Sequence, residues 1–395
     1  MTLVDLDALD NFVEKKTKIG VIGAGRLGIC FALLVDQAGY DVVVSDVRED
    51  YVKNLNKRLI STNEPLVEDL LKESNIRATT SNKEVIEECD IIYTFVSTPS
   101  TRDGDYDVSA IDSVVKDFSG VTGKTFVVGC TTNPGDCEKF KKKLDGVKVF
   151  YNPEFIAQGS IIKGLLEADM VLVGGDYDDH DGHNAIFAIY EAIQTTPLNY
   201  NSMSLTAAEM TKLALNCFLT MKISYANQVG EVMSRFGLGE EIDTVLNAIG
   251  ADSRVGSKFL NYGFGFGGPC LPRDNRAFAH AAERVGLENN IGLTIDSFND
   301  EHSDFLADYL CERNPDKKRP FYFSEGITYK KGTDILEESQ QYKLFRELMN
   351  RGYKCVALEL PEVGDRVYND LMYTWPGQYK FIYTEDNIPT DAFEI

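Results

Sequence analysis

The sequence of 395 residues has no run of 18 consecutive apolar residues, so no membrane-spanning helix is expected. It is short of positive charge: 40 Lys and Arg face 62 Asp and Glu, a formal net charge of −22. Such a surface repels nucleic-acid phosphates and anionic lipid, and an anionic small ligand would need a site that gathers cations locally. None of the eight cysteines forms a CxxC pair, and a chain of this size needs no covalent staples. Free thiols in a reducing, cytoplasmic compartment are therefore expected. Residues 1–16 are acidic and carry no long apolar stretch, unlike a signal peptide, although the spacing of Leu3, Leu6, Leu9 and Phe12 predicts a short amphipathic helix. Histidine is scarce: His180, His183, His280 and His302. The first two lie in DDHDGH, where no third metal ligand is evident, so a solvated acidic turn is favoured and no metal is expected.

What the chain does have is 43% apolar residues, 26% charged residues and 32 glycines, several of them clustered. This is globular composition at a length that suits two or three domains. From Lys18 the text reads strand, glycine turn, helix, strand: KIGVIGAG, RLGICFALLVDQAGY, DVVVSD. Further strands are predicted at Asp90–Val96, Thr125–Gly129, Val147–Tyr151 and Met170–Val173, with helices at Leu66–Glu73 and Val108–Phe118. The alternation predicts an α/β fold with a largely parallel sheet. Leu205–Phe236 holds no proline and one glycine, Gly230, and reads as a single long helix. Helical text continues to about Cys311, and NPDKKRP (Asn314–Pro320) looks like a boundary. Beyond it FYFSEGITY, a helix around Ser339–Arg351 and KCVALEL predict a second, smaller β–α–β unit. The predicted division is 1–203, 204–313 and 314–395.

Four motifs carry chemistry. In GAGRLG, Gly23 permits a tight turn, Gly25 lets a pyrophosphate approach the backbone and Gly28 allows the helix to pack on its strand. Asp46 ends the following strand, where a carboxylate binds a ribose 2′-hydroxyl; this favours NAD over NADP, against the pull of nearby Arg48. In GFGGPCLPRD, glycines clear space beside Cys270, with Arg273 and Asp274 close by, a polar setting suited to a nucleophilic thiolate. Cys30, Cys89, Cys217 and Cys355 read as buried and inert. Glu209, Lys212 and Asn216 share one face of the long helix, among Met210, Leu213, Leu215 and Phe218. A functional pair and a structural Glu209–Lys212 ion pair are both open there. YNPEFIAQGS (Tyr151–Ser160) follows a strand and places Glu154 where an α/β sheet presents ligands; TTNPGD and STPSTRDG also follow strands, where ordinary turns are common.

Together these motifs resemble the UDP-glucose 6-dehydrogenase family of nucleotide-sugar dehydrogenases. The resemblance runs from about Lys18 to about Lys354 and includes EMTKLALNCFLTMKISYANQ, ADSRVGSKFLNYGFGFGGPCLPRD and YKKGTDILEES in family order. It implies an N-terminal Rossmann NAD domain, a long central helix that makes a homodimer, and a smaller C-terminal Rossmann-like domain for the nucleotide sugar. It also implies NAD-dependent oxidation of the C6 alcohol of UDP-glucose to UDP-glucuronate in two steps, through a cysteine thioester. Cys270 is then the nucleophile, Glu154 the acid/base, Lys212 and Asn216 the oxyanion stabilisers, and Asp274 and Thr132 the water-holding groups.

Cofactor contacts fall on Gly23, Ala24, Gly25, Arg26, Leu27, Gly28, Asp46, Thr98, Thr132, Gln158 and Arg273. Substrate contacts fall on Phe155, Ile156, Lys212, Asn216, Arg254, Phe259, Asn261, Gly267 and Lys330, with Arg254 reaching the partner subunit's substrate. Three positions depart from the family pattern: Gln158 stands for a second Glu, Met170 for an Arg, and Glu337 for the Arg of TDDIRES. The alternatives are a dehydrogenase of GDP-mannose or a UDP-N-acetyl-hexosamine, or a catalytically silent NAD-binding protein.

Overall fold

The computed structural model describes residues 17–156 and 159–395, so the helix predicted near the N-terminus lies outside the described residues. The chain divides into two compact units, one ending at Lys212 and one beginning at Leu213.

In the first unit, strands β1 (Lys18–Ile22), β2 (Asp41–Ser45), β3 (Arg77–Thr79), β4 (Ile91–Thr94), β5 (Thr125–Val128), β6 (Lys148–Tyr151), β7 (Val171–Gly174) and β8 (Tyr200–Met203) form one sheet. Its order is β3-β2-β1-β4-β5-β6-β7-β8. All pairings are parallel except β6 with β7, which meet antiparallel through Tyr151 and Gly174. The central strands are runs of Val, Ile, Phe and Tyr buried on both faces, as a sheet covered by helices requires. The helix Arg26–Gln37 buries Ile29, Phe31, Leu33 and Leu34 against one face, where each fully buried large apolar side chain contributes about 1.5–3 kcal/mol. Phe126, Val128, Phe140 and Tyr151 belong to a second apolar cluster.

The order reverses at β1 and β4, and ligands of such sheets bind at the carboxyl ends of the strands beside that reversal. Gly23–Gly28, Asp46, Thr98, Thr132 and Glu154 all lie just beyond the carboxyl ends of β1, β2, β4, β5 and β6.

The long helix runs Leu205–Arg235, close to its predicted extent. In the second unit, helices Ile242–Gly250, Leu271–Arg284 and Ile291–Arg313 precede a parallel sheet. It contains β9 (Phe321–Phe323), β10 (Cys355–Leu358), β11 (Tyr379–Ile382) and β12 (Phe393–Glu394), in the order β11-β10-β9-β12. The predicted strand FYFSEGITY is shorter than expected: pairing stops after Phe323, and Gly326 takes a positive φ of 80° in the turn that follows. The helix Gln340–Asn350 starts where predicted, because the Ser339 side chain accepts a hydrogen bond from the Tyr342 amide. The DDHDGH stretch is a helix start: Asp179 caps the helix His180–Ile193 through the Gly182 amide, and His183 is buried with its ring edge-on to Phe150. Among the described residues no helix is long and apolar enough to cross a membrane.

Candidate active site

Backbone geometry makes the first part of the site. Gly23 turns at φ 91°, and a Cβ there would lie 2.7 Å from the Phe95 carbonyl oxygen. A Cβ on Gly28 would lie 2.0 Å from the Gly23 carbonyl oxygen, so only glycine lets the helix Arg26–Gln37 close onto β1. At Gly25 nothing lies within 4 Å of a Cβ position, so the backbone is open where a pyrophosphate would approach the helix N-terminus. Asp46 is buried beyond β2, and Arg48 donates to it from Nε and Nη2 at 2.8 Å each. Burial works against the charge, yet these hydrogen bonds outweigh it and hold the Asp46 carboxyl below its ordinary range. Arg48 also stacks on Tyr51, 4.1 Å from the ring centroid. The Arg48 amide also donates to Asp46 Oδ1 at 3.0 Å, so Arg48 fills three of the about four lone-pair directions of the carboxylate, and a ribose hydroxyl would exchange with part of this grip. The cradle fits a dinucleotide.

Thr132 follows β5 and is fully buried, and its hydroxyl donates to Glu209 Oε1 at 2.8 Å. The same carboxylate accepts from the amides of Gly135 (2.6 Å) and Cys137 (2.8 Å), at the N-terminus of the helix Asp136–Lys143. Glu209 thus holds the Thr132 loop, a partner set that neither reading left open for it included. The Thr132 hydroxyl also lies 3.9 Å from Cys137 Sγ.

Glu154 lies beyond β6. Burial pushes its carboxyl up to about 7, against the opposing pull of a Tyr190 hydrogen bond and the Lys212 charge. Lys212 donates to the Glu154 carbonyl oxygen at 2.8 Å, and its ammonium sits 4.9 Å from the Phe155 ring centroid. Tyr190 and Asn152 were not anticipated as neighbours of Glu154, since Tyr190 reads as one more apolar residue of its helix. Glu64 holds the far end of the motif, accepting from the amides of Gly159 (2.9 Å) and Ile161 (2.5 Å). Gln158 lies outside the described residues.

In the second unit Cys270 is exposed and sits at the N-terminal cap of the helix Leu271–Arg284, where the helix dipole favours a thiolate. The inert cysteines differ: burial pushes the Cys89 thiol to about 12 and Cys217 to about 11, and Cys30 and Cys355 still further up. Asp274, one turn into the helix, is buried, and Asn216 Nδ2 donates to its Oδ2 at 2.5 Å. The glycines before Cys270 are forced by close approach: a Cβ on Gly267 would lie 2.4 Å from the Glu338 carbonyl oxygen. His302 supports this loop, bridging Glu231 Oε1 at 2.6 Å and the Gly263 carbonyl at 2.7 Å. Phe259, Asn261 and Lys330 are exposed, and Arg254 is exposed with its guanidinium on Asp252. Phe259 holds a positive φ of 62°, strained for a residue with a bulky side chain.

Residues 17–194 match the NAD binding domain of the UDP-glucose/GDP-mannose dehydrogenase family, and residues 206–301 match its central domain. A UDP-glucose 6-dehydrogenase of Haloferax volcanii is 32% identical across 87% of this chain and 83% of its own length. The chain belongs to the UDP-glucose/GDP-mannose dehydrogenase family. A putative UDP-glucose 6-dehydrogenase of Bacillus subtilis is 30% identical, with coverage of 87% and 83%. Among solved structures, a UDP-glucose dehydrogenase of Pyrobaculum islandicum aligns with a TM-score of 0.79 at 25% identity, over 93% of this chain and 86% of that one. A member of this family is an NAD-dependent oxidoreductase of nucleotide sugars, and the glycine cradle described above is its cofactor domain.

Proposed function

We propose that the chain oxidises the C6 alcohol of UDP-glucose to the carboxylate of UDP-glucuronate, through a thioester on Cys270. The observation that carries this reading is the exposed Cys270 thiol at a helix N-terminus, one turn before buried Asp274. An alcohol dehydrogenase needs no nucleophilic cysteine, whereas a cysteine adduct of the aldehyde gives a route for oxidation onward to an acid. The nucleotide-sugar class comes from the family, and UDP-glucose from the named activity of its relatives.

Two NAD molecules, bound in turn, would supply the hydride acceptors for the two oxidations. Gly23, Ala24, Gly25, Arg26, Leu27 and Gly28 hold the cofactor's pyrophosphate and Asp46 its ribose, with Thr98, Thr132, Gln158 and Arg273 as further contacts. Glu154 takes the proton as the C6 alcohol becomes an aldehyde. Lys212 and Asn216 stabilise the oxyanion when Cys270 Sγ bonds to the aldehyde carbon. Loss of the second hydride leaves the acyl group on sulfur as a thioester. A water held by Asp274 and Thr132 adds to that carbon, the carbon–sulfur bond breaks and the acid leaves. Phe155, Ile156, Phe259, Asn261, Gly267 and Lys330 contact the nucleotide sugar, and Arg254 serves the partner's substrate in a homodimer. On a chain of net charge −22, Lys212, Arg254 and Lys330 supply the cations that a diphosphate needs. The three-part division 1–203, 204–313 and 314–395 and a cytoplasmic location complete the reading.

The test is NADH formation across UDP-glucose, GDP-mannose and UDP-N-acetyl-hexosamines. Turnover restricted to UDP-glucose is expected. Turnover of another sugar in its place overturns the substrate, and turnover of none overturns the enzyme.

A further inference from the structure

The Tyr190 hydroxyl lies between the Glu154 carboxylate and the Asn152 amide, and this chain fixes hydrogen positions. Asn152 is buried, and its Nδ2 donates to the Leu172 carbonyl at 3.0 Å. That bond orients the amide and leaves Asn152 Oδ1 facing the Tyr190 hydroxyl at 2.8 Å, as an acceptor only. The same hydroxyl contacts Glu154 Oε1. A phenol has one hydrogen to give and lone pairs to accept. When Glu154 is ionised, the hydrogen turns to its carboxylate. When Glu154 is protonated, it donates to the phenol oxygen, and the phenol hydrogen turns to Asn152 Oδ1. Either state leaves the Glu154–Tyr190 contact satisfied, with no backbone movement.

The ring that carries this hydroxyl is held firmly. Tyr190 is buried, its centroid 6.0 Å from Phe31, which lies 4.6 Å from Tyr93. Burial and the neighbouring Glu154 push the Tyr190 phenol well above its ordinary value, so it remains a phenol throughout. The other groups that face Glu154 are Tyr93, from β4, and Lys212, from the long helix. The Tyr93 hydroxyl is buried and has no hydrogen-bond partner among the described residues, so Tyr93 is not a competing fixed donor to the carboxylate.

We propose that Tyr190, oriented by Asn152, is a positioning residue that serves both protonation states of Glu154. This rests on Glu154 acting as the acid/base, as given above. Such a group must gain and lose a proton in every cycle, and burial alone would favour one state over the other. Glu154 is partly buried, and the hydroxyl, turning between two acceptors, gives its carboxyl a fixed partner in either state.

The experiment is an isotope-edited infrared titration of glutamate in the ligand-free full chain, with Glu154→Gln used to assign the Glu154 band. In Tyr190→Phe the ring packing stays and the hydroxyl goes. The Glu154 midpoint is expected to rise by about one pH unit, the size of one hydrogen bond to a charged group. The acid limb of the kcat profile is expected to move by the same amount, with KM for the nucleotide sugar unchanged. An unmoved midpoint in folded Tyr190→Phe overturns the proposal, whatever the activity. If the midpoint moves while Glu154→Gln turns over normally, the positioning inference stands and the acid/base role of Glu154 falls. Asn152→Leu provides a second variant: removing the acceptor turns the phenol hydrogen to Glu154 permanently, and the midpoint is expected to fall.

Discussion

Glu154→Gln separates the electrostatics of the site from its catalysis, because the amide resembles the protonated acid and carries no charge at any pH. The Glu154 carboxyl lies at about 7 in the folded chain, against an ordinary value of 4.5. The native state therefore binds this proton more tightly than the unfolded state, and folding takes up a proton between those two values. The stability that the protonated group brings is fully present below 4.5 and is lost as pH rises through 7. At about 1.36 kcal/mol per pH unit, the interval corresponds to about 3 kcal/mol, lost from the wild type and not from the Gln variant. Relative to wild type, Glu154→Gln should gain about 3 kcal/mol between pH 4 and pH 8. Trp375 is the one tryptophan and lies in the second unit, so a probe placed within the first unit is needed. Urea-dependent hydrogen exchange of peptides covering β4, β5 and β6 provides it. A difference between the two proteins that stays constant across pH would refute the reasoning, and with it the burial of an acid/base at Glu154.

Three other outcomes are expected. Cys270→Ser should stop formation of the acid, with an aldehyde-level or slowly released ester intermediate seen by mass spectrometry; undiminished acid production would remove the covalent role. Glu209→Ala leaves the Thr132 hydroxyl and the Gly135 and Cys137 amides without their acceptor, at about 1–3 kcal/mol for each buried donor. Exchange in peptides covering residues 130–145 should accelerate accordingly, and unchanged protection would show that the carboxylate does not hold this loop. His302→Ala removes the bridge between Glu231 and the Gly263 carbonyl and should destabilise the second unit by about 1–3 kcal/mol, the size of leaving a buried hydrogen-bonding group unsatisfied, in urea melts read by Trp375 fluorescence; an unchanged midpoint would show that the bridge does not stabilise it.

The parts legible in the sequence are those that backbone geometry forces. The turn at Gly23 and the close approach at Gly28 tolerate no other residue, so they read as a cofactor turn before any fold is known. The buried strands read well because both faces are covered and the text is continuously apolar. Strands β3 and β8 escaped notice because they are short and only partly buried, and YNSM carries little strand propensity. The antiparallel step at β6 and β7 has no local signature. Tyr190 was silent for another reason: in HDGHNAIFAIYEAI it satisfies the apolar spacing of its helix, and only folding brings its hydroxyl to Glu154. The partners of Glu209 were hidden in the same way, since they come from a loop far away in the chain.

The most direct test of the central claim is a count of NADH per sugar, with UDP-glucose limiting and NAD in excess. A thioester route through Cys270 predicts two NADH for each UDP-glucose consumed, with UDP-glucuronate as the product. One NADH per sugar, with an aldehyde released, would contradict it.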